Sequence, residues 1–269
     1  MSDTLTATMP CHTMPVPKPH SLRPLPNLAT MTCEPIHKLL LPPGRIPVIG
    51  IVGGIGSGKS VVAQWVASRA NIHVIDADRL GHEVLLAADV KAALRGQFGD
   101  DIFDSKGEVQ RGVLARRVFG DSERHRAERQ DLEQIVHPEI ERRIVGEIAR
   151  AEQAGSEAVL LDAAVLLEAG WQRQCDAVVF VETPEPVRLQ RVQQRSGWTA
   201  EELHRREASQ LSLSEKRKQS DAVVSNAGEV SDGGQQLLNC LRGCGVFSCK
   251  PSPELSQQSA TSEFLPPRP

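Results

Sequence analysis

The sequence predicts an α/β fold with a five-stranded parallel sheet, and three observations support this. Short apolar segments alternate with helix-compatible segments, which is typical of parallel strands joined by crossover helices. Segment 177–181 is apolar throughout, as expected for a central parallel strand. Segment 48–52 leads directly into a glycine-rich loop, and a helix-compatible run, 61–70, follows. The expected strands are residues 48–52, 72–75, 157–164, 177–181 and 221–226.

The glycine-rich loop, residues 53–60, matches the phosphate-binding pattern Gly-x-x-x-x-Gly-Lys-Ser at every position. Glycines let the chain wrap a phosphate with its N–H groups pointing inward, and the helix N-terminus that follows favours an anion. We therefore expect Lys59 to neutralise the β- and γ-phosphates and the Ser60 hydroxyl to bind Mg²⁺. The alternative is a glycine-rich turn without a ligand, but both flanks of the loop favour a nucleotide site. The expected nucleotide-binding residues are Gly53, Gly54, Ile55, Gly56, Ser57, Gly58, Lys59 and Ser60.

Composition narrows the classes of partner. The formal net charge of −3 provides no basic field for nucleic acid, and aromatic residues, at 3%, are too few for base-stacking platforms. No apolar run approaches membrane-spanning length, and the N-terminus lacks the basic-then-apolar pattern of a secretion signal. The six cysteines form no Cys-x-x-Cys pair, so we expect free thiols in a reducing cytoplasm. The predicted protein is therefore cytoplasmic, with small molecules rather than nucleic acid or membrane as partners. We also expect a monomer or weak oligomer, although composition does not determine the oligomeric state.

The chain divides into three parts by composition. Prolines crowd residues 1–46 and no apolar periodicity survives there, which predicts a disordered extension. Residues 47–247 carry the alternating strands and helices and form the predicted domain. Residues 248–269 are rich in Pro, Ser and Gln and are predicted to be a disordered tail.

Two aspartates follow the second expected strand, in the run Asp76-Ala77-Asp78. The carboxyl ends of parallel strands line the ligand crevice of an open α/β sheet, so both are well placed for function. Asp76 is interpreted as a helix N-cap. Asp78 could be a second cap, and its assignment to the site rests on the family resemblance described below.

A long helical segment, residues 79–154, separates the second and third strands. A simple crossover between parallel strands needs only about a dozen residues, so this insertion is several times longer than the connection requires. The surplus helices are predicted to form a cap that holds a second substrate. The expected helices are residues 79–95, 113–119 and 122–153, the last with a break near Pro138.

The third expected strand ends near Asp162, which is a candidate for the acidic residue on the magnesium side or simply caps the strand. The apolar run at 166–167 is expected to continue that strand. After the fourth strand, Thr183 is the expected N-cap of a helix that has prolines in its first turn.

That helix carries Arg188, Arg191 and Arg195, of which the last two share a face. A turn at 197–199 and a second charged helix, 200–219, follow. Two charged helices on a short loop are typical of a mobile lid that closes over a phosphoryl group, although an ordinary solvated surface gives the same pattern. A short helix is expected at 237–241.

Several further motifs follow the phosphate loop in a fixed order, and together they resemble dephospho-CoA kinases over about residues 48–246. The Asp-Ala-Asp run, His137-Pro138 and the distal Asn226-x-Gly228 make this resemblance far more specific than the loop alone. This chain has Ala164-Val165-Leu166 where the family usually has Pro-Leu-Leu. The other matching positions are Phe98-Gly99, Gly107, Arg111, Leu114-Ala115, Leu132-Glu133, Ile140, Leu166, Glu168, Arg191, Arg195, Gln210, Lys216 and Ser220-Asp221.

The resemblance implies a P-loop kinase that transfers the ATP γ-phosphoryl group to the ribose 3′-hydroxyl of dephospho-CoA, with ATP and Mg²⁺ required. It implies a core at 47–78 and 155–230, a CoA-binding helical insertion at 79–154 and a lid at 187–215. Asp78 would orient the hydroxyl or accept its proton, and Arg191 and Arg195 would close over the phosphates. Other implied roles are a backbone N–H from Val61, Mg²⁺ binding by Ser60 and Asp162, and substrate binding by Asp78, Arg111 and His137.

Two alternatives remain open at the level of sequence. Another small-molecule P-loop kinase, acting on a nucleoside monophosphate or shikimate, would share the loop but not the long insertion with its His-Pro pair. A regulatory GTPase or nucleotide-gated module should carry Asn-Lys-x-Asp, which the sequence lacks. His137, placed before a proline, is equally consistent with a helix break.

Overall fold

The computed structural model describes residues 45–120 and 122–243. The predicted proline-rich extension, apart from residues 45 and 46, and the predicted tail at 248–269 lie outside these ranges. The predicted domain limits therefore stay predictions. Among the described residues, no helix combines the length and apolar character that crossing a membrane requires.

The five predicted strands form one parallel sheet in the order β2-β3-β1-β4-β5, which confirms the predicted fold class. Within this sheet, Asp162 of β3 lies opposite both Ile51 of β1 and Asp76 of β2. The carboxyl ends of these three strands therefore meet beside the phosphate loop. The strands are β1 (Val48–Gly53), β2 (Ile72–Asp76), β3 (Ala158–Asp162), β4 (Ala177–Glu182) and β5 (Ala222–Ser225).

The sheet is covered on both faces, which explains why its central strands are apolar throughout. Alternate residues of β1 point to opposite sides, so that Ile49 and Ile51 pack into one core cluster while Val48 and Val52 pack into another. Helices α1 (Lys59–Ala67) and α9 (Val230–Gly243) cover the first face. Helices α2 (Ala77–Val84) and α5 (Glu123–Gln153) cover the second.

The insertion between β2 and β3 is helical, as predicted. The run predicted as one helix at 79–95 is divided between α2 and α3 (Ala88–Phe98), and α4 (Arg111–Val118) precedes the long α5. Helices α3 and α4 form a separate small core that includes Leu94 and Leu114.

The predicted break near Pro138 is wrong, because α5 continues through it. A proline inside a helix removes one backbone hydrogen bond and costs about 3 kcal/mol. Ile140 and Ile144, immediately beyond, are buried against the sheet, and burying each such side chain contributes about 1.5–3 kcal/mol. Packing of the second half of α5 therefore outweighs the local penalty.

The segment after β4 differs from prediction in two ways. The predicted helix 200–219 is two helices, α7 (Ala200–Glu207) and α8 (Leu213–Lys218), which follow α6 (Glu185–Ser196). Ser212 starts α8 by accepting a hydrogen bond from the Glu215 N–H at 3.1 Å. Thr183 is not the N-cap of α6, because its buried hydroxyl donates instead to the carbonyl of Ser57 at 3.0 Å.

Two further expectations are corrected. Strand β3 ends at Asp162, and residues 164–170 form turns rather than continuing the strand. Among the described cysteines, Cys175 is a free thiol, as predicted, and burial raises its pKa to about 12. Cys240 is disulfide-bonded, so the expectation of free thiols is wrong for this residue.

Candidate active site

The phosphate loop joins β1 to α1. Side chains from other elements fix it by donating hydrogen bonds to its carbonyl groups. The Ser57 carbonyl accepts hydrogen bonds from the Asn226 side-chain amide at 2.7 Å and from the Thr183 hydroxyl at 3.0 Å. Gly58 has φ +84°, and a Cβ at this position would lie 2.4 Å from Asn226 Nδ2. Glycine is therefore required at position 58 both by the backbone and by the space. The hydrogen bonds to the Ser57 carbonyl stabilise the turn between β1 and α1. This turn leaves the N-terminus of α1 free to bind an anion.

Helix α1 begins at Lys59, so by helix geometry the first N–H groups, at Lys59, Ser60 and Val61, have no partner one turn back. The first helical bond into the loop runs from the Val62 N–H to the Gly58 carbonyl, at 3.0 Å. This is the anion-binding end of a helix, where unpaired N–H groups and the helix dipole act together.

Three charged side chains, Lys59, Asp78 and Asp162, lie near the carboxyl edge of the sheet, and Lys59 is close enough to interact electrostatically with both carboxylates. Burial lowers the pKa of the Lys59 ammonium, although both carboxylates act in the opposite direction. Burial likewise raises the pKa of Asp162, which is 6% exposed, against the opposing effects of Lys59 and of a hydrogen bond from Ser60. Each charge is therefore only partly compensated by its neighbours, which is typical of functional sites.

Asp76, the last residue of β2, and Asp78, in the first turn of α2, have different surroundings, as the sequence predicted. Asp76 caps α2 by accepting a hydrogen bond from the Arg79 N–H at 2.9 Å. Asp78 is open to solvent, yet the surrounding protein removes part of its hydration, and this desolvation raises its pKa. Electrostatic interactions with Lys59 and His82, and a hydrogen bond from the Ala164 N–H, lower that pKa in part.

The three arginines of α6 take different places. Arg188 is 3% exposed, pairs with Glu207 of α7 and donates to the Ile55 carbonyl at 3.2 Å. Arg191 donates to the Ser57 carbonyl at 3.2 Å and to the Asn226 carbonyl at 3.0 Å, so it braces the loop from outside. Arg195 is exposed and lies close enough to Lys59 for its charge to lower the pKa of that lysine.

The insertion carries two separate side chains that are expected from the sequence to bind substrate. Arg111, at the start of α4, contacts the His82 ring with 2.6 Å between the Arg111 and His82 nitrogen atoms. Because His82 lies one turn beyond Asp78 on α2, these side chains connect the insertion to the site. His137 packs instead against Trp171, with ring centroids 5.3 Å apart, and both line a groove of about 780 Å³. Burial lowers the pKa of His137.

Sequence reasoning missed some of these residues. His82 is four positions from Asp78 on one helix, so helical spacing alone points to it. Glu207 and Lys216 lie in the charged segment that the sequence predicts to be a lid or a solvated surface, and only the family resemblance singled out Lys216. No local signal distinguishes Glu207 from its neighbours, and nothing in the sequence indicates that Lys216 is buried.

The residues next to Lys59 suit a magnesium ion. The Ser60 hydroxyl and the Asp162 carboxylate supply hard oxygen ligands in direct contact with each other, and the buried carboxylate has incomplete charge compensation. Among the described residues, no group of three or more acidic, His or Cys side chains could hold a metal alone. Mg²⁺ commonly takes one or two protein carboxylates together with substrate phosphates, so this small donor set fits.

Comparisons with known proteins agree with this geometry. The family model described as dephospho-CoA kinase matches residues 47–232, more than half of the chain. The dephospho-CoA kinase of Methylococcus capsulatus is 38% identical over 190 residues, which cover 68% of this chain and 89% of that protein. The dephospho-CoA kinase of Dehalococcoides mccartyi is 32% identical over 195 residues, 72% of this chain and 94% of that protein.

A solved structure extends the similarity to three dimensions. The crystal structure of TT1252 from Thermus thermophilus has 34% sequence identity and a TM-score of 0.62, covering 74% of this chain and 97% of that one. Sequence, motif order and fold thus lead to one family. We conclude that this chain belongs to the dephospho-CoA kinase family.

Proposed function

We propose that this protein transfers the γ-phosphoryl group of ATP to the ribose 3′-hydroxyl of dephospho-CoA, which gives CoA in the last step of its synthesis. One observation carries the proposal: Lys59, in a phosphate-binding loop, and Asp78, at the edge of a helical insertion, lie close enough to interact electrostatically. A donor phosphate and an acceptor hydroxyl would meet between them. The names of the matched family and of its relatives support this choice of substrate.

On the donor side, the chain provides positive charge and N–H groups. The loop from Gly53 to Ser60 and the Val61 N–H would surround the phosphates of ATP. Lys59 would offset the negative charge that builds between the β- and γ-phosphates during transfer. Because the Lys59 charge is preorganised and desolvated, it stabilises the transition state more strongly than the same charge would in water.

On the acceptor side, Asp78 would orient the ribose hydroxyl and accept its proton. A carboxylate is a stronger base when its pKa is raised towards neutrality, and partial desolvation acts in that direction here. The hydrogen bond from the Ala164 N–H would keep one orientation of the carboxylate.

Ser60 and Asp162 would hold Mg²⁺ together with the phosphates. The ion, when bound, would draw charge away from the phosphate oxygens. Without a cation, Asp162 is a buried carboxylate whose pKa burial raises. A bound cation would offset the free-energy cost of burying this charge, so a larger cost means that Asp162 contributes more to cation affinity.

The two lid arginines, Arg191 and Arg195, would act on the phosphates in different ways. Arg195 is exposed and near Lys59, so it can approach phosphates when the lid closes. Arg191 already donates hydrogen bonds to the carbonyl of Ser57 in the loop and to the carbonyl of Asn226 after β5. We therefore propose that Arg191 acts on the phosphates indirectly, by stabilising the loop that binds them. It would contact the phosphates itself only if lid closure broke these hydrogen bonds.

The insertion would bind the rest of the acceptor. Arg111, held by His82 near Asp78, would contact substrate close to the reacting sugar. His137 and Trp171 line a groove of about 780 Å³, a size typical of small-molecule sites. We propose that this groove takes a part of the acceptor remote from the ribose.

The test uses the full-length protein with ATP and Mg²⁺, offering dephospho-CoA, AMP and adenosine in parallel. We expect ADP release to depend on dephospho-CoA and the product to carry a new 3′-phosphate, identified by mass and phosphorus NMR. Lys59→Ala serves as the control for contaminating kinases. A preference for AMP would replace the proposed acceptor, and slow GTP hydrolysis without any acceptor would indicate a nucleotide-gated module instead.

The remaining expectations concern the state of the protein in solution. We propose a monomer or weak oligomer in the cytoplasm, without membrane partners. The small negative net charge supports the absence of nucleic acid partners, because it provides no basic field. Sedimentation velocity across a hundredfold range of concentration would test the first point. A constant sedimentation coefficient of a stable oligomer would contradict it.

A further inference from the structure

The burial of the Lys216 ammonium group is not expected from the charged sequence around it. Lys216 lies on α8, in the segment that the sequence predicts to be a lid or a solvated surface, yet its side chain is 1% exposed. Burying an ammonium group without compensation costs several kcal/mol. Its burial therefore requires partners, and those partners show what it holds.

The Lys216 ammonium has three acceptors for its three protons. It donates to the carbonyl of Ala164 at 3.0 Å and to Gln210 Oε1 at 3.0 Å, and it pairs with Glu168 at 2.9 Å. Glu168 in turn accepts a hydrogen bond from the Leu211 N–H at 2.9 Å. Lys216 and Glu168 together thus join the α7–α8 connection to the turn segment that follows β3.

One of these acceptors belongs to a residue that contacts the site directly. Ala164 accepts from Lys216 through its carbonyl oxygen and donates to the Asp78 carboxylate through its N–H. A single residue therefore connects a buried ammonium with the proposed base. Fixing the carbonyl of Ala164 restricts the orientation of the residue and, with it, the direction in which its N–H points.

The ammonium also acts on the site through space. The charge of Lys216 lowers the pKa of Lys59, as does the charge of Arg195. The groups that face Asp78 electrostatically are Lys59, Asp76 and His82, and Lys216 is not among its main influences. The effect of Lys216 on Asp78 is therefore geometric, through Ala164.

We propose that Lys216, supported by Glu168, is a positioning residue for the reaction: it holds Ala164 so that the Ala164 N–H orients the Asp78 carboxylate towards the acceptor hydroxyl. This rests on the proposed function for its kinetic consequence. The restraint on the segment after β3 follows from the contacts alone and does not depend on which substrate is used.

A double-mutant cycle between Lys216→Met and Asp78→Asn tests the proposal. We expect Lys216→Met in the full-length protein to lower kcat by about 10- to 100-fold, because small displacements of a reacting group cost this much. The KM for ATP should stay within about twofold, since the hydrogen bonds of Lys216 lie in the segment after β3 and in the α7–α8 connection, and loss of its charge favours the charged form of Lys59. In the Asp78→Asn background, Lys216→Met should cause almost no further loss, whereas independent, multiplying losses would overturn the proposal.

The matched control is Lys218→Met, on the same helix, whose side chain is 75% exposed and which should leave kcat unchanged. Glu168→Gln provides a milder second variant if Lys216→Met does not fold. It retains an acceptor for the Leu211 N–H but removes the negative charge beside Lys216. We expect it to give the same non-additive pattern with Asp78→Asn at a smaller amplitude.

Amide hydrogen exchange supplies a readout that needs no substrate. Peptides covering residues 163–168 should exchange faster in Lys216→Met than in the wild type or in Lys218→Met. Unchanged exchange would overturn the proposed restraint. If the wild type did not phosphorylate dephospho-CoA, the proposed function would be wrong. The exchange experiment would still decide whether Lys216 restrains the segment after β3. The mutant cycle would then be repeated with the acceptor that the enzyme does use.

Discussion

The charges at the carboxyl edge of the sheet and those along α5 are of the same chemical kinds but have opposite energetics. On α5, Glu139 accepts hydrogen bonds from Arg142 and Arg143, which lower its pKa to about 2. At the sheet edge, burial raises the pKa of Asp162 in spite of Lys59 beside it. One carboxylate is thus favoured in its charged form, and the other is disfavoured.

The comparison shows which charged residues stabilise the fold and which ones destabilise it in order to bind substrate. The α5 carboxylate has two guanidinium partners within one turn of helix and some access to solvent. The sheet-edge carboxylate shares one lysine with Asp78. A site built to receive the charges of a substrate and a cation is incompletely compensated when they are absent. Changing residues of the two regions should therefore have opposite effects, and the experiments below test this.

Removal of the Lys59 ammonium should have the largest effect. We expect Lys59→Ala to lower kcat/KM by about 10³-fold or more, because electrostatic stabilisation of the transferring phosphoryl group is the largest contribution to such reactions. Steady-state kinetics with ATP and dephospho-CoA provide the measurement. A loss below tenfold would mean that the loop lysine is not part of the reaction.

Asp78→Asn should rank second, with a loss in kcat of about 10²–10⁴-fold, the range for a positioned base. The wild-type enzyme should lose activity on the acid side as Asp78 becomes protonated. Because partial desolvation raises the pKa of Asp78, this loss should begin above the ordinary titration range of an aspartate. A pH profile that stays flat through that range would exclude Asp78 as the base.

Asp162→Asn should separate stability from activity. Since the pKa of Asp162 is raised in the folded state, its ionised form opposes folding as the pH rises through that pKa. The neutral variant should therefore be more stable than the wild type near pH 7 by about 1 kcal/mol, with the difference shrinking towards pH 4. Its requirement for Mg²⁺ should increase. Urea denaturation at both pH values and a Mg²⁺ titration of the rate measure these effects, and a destabilised variant would contradict the comparison.

Glu139→Gln should have the smallest effect and the opposite sign. Because the Glu139 pKa is lowered to about 2, its contribution is present above the ordinary glutamate pKa and is lost as the pH falls towards 2. We expect a loss of about 0.2–1 kcal/mol near pH 7, as for partly exposed ion pairs, with unchanged kcat. A change in kcat would show that this face of α5 is coupled to the site.

Local sequence predicted the sheet and the phosphate loop well, for a physical reason. Strands of a two-sided parallel sheet must be apolar on both faces, so their positions appear directly in residues such as those of β1 and β4. The loop needs glycine where φ is positive, as at Gly58, and this requirement is also visible in the chain. The cap at Asp76 followed from its place between a strand and a helix.

Residue patterns failed where a distant contact decides the outcome. Pro138 predicts a break, but the packing of Ile140 and Ile144 against the sheet carries α5 through it. Thr183 predicts a helix cap, but its hydroxyl bonds to the loop instead. In each case the local preference is worth less than the burial or the hydrogen bond that the folded chain supplies.

The sequence by itself determined the fold class, the phosphate-binding loop and the family, because these depend on periodicity and on short motifs. Only the tertiary structure decided that Arg191 braces the loop and that Lys216 is buried beside Ala164. Whether a charged side chain meets solvent or a partner depends on segments far apart in the chain. That information lies in the packing of β3, α6 and α8 around one edge of the sheet, and no local pattern contains it.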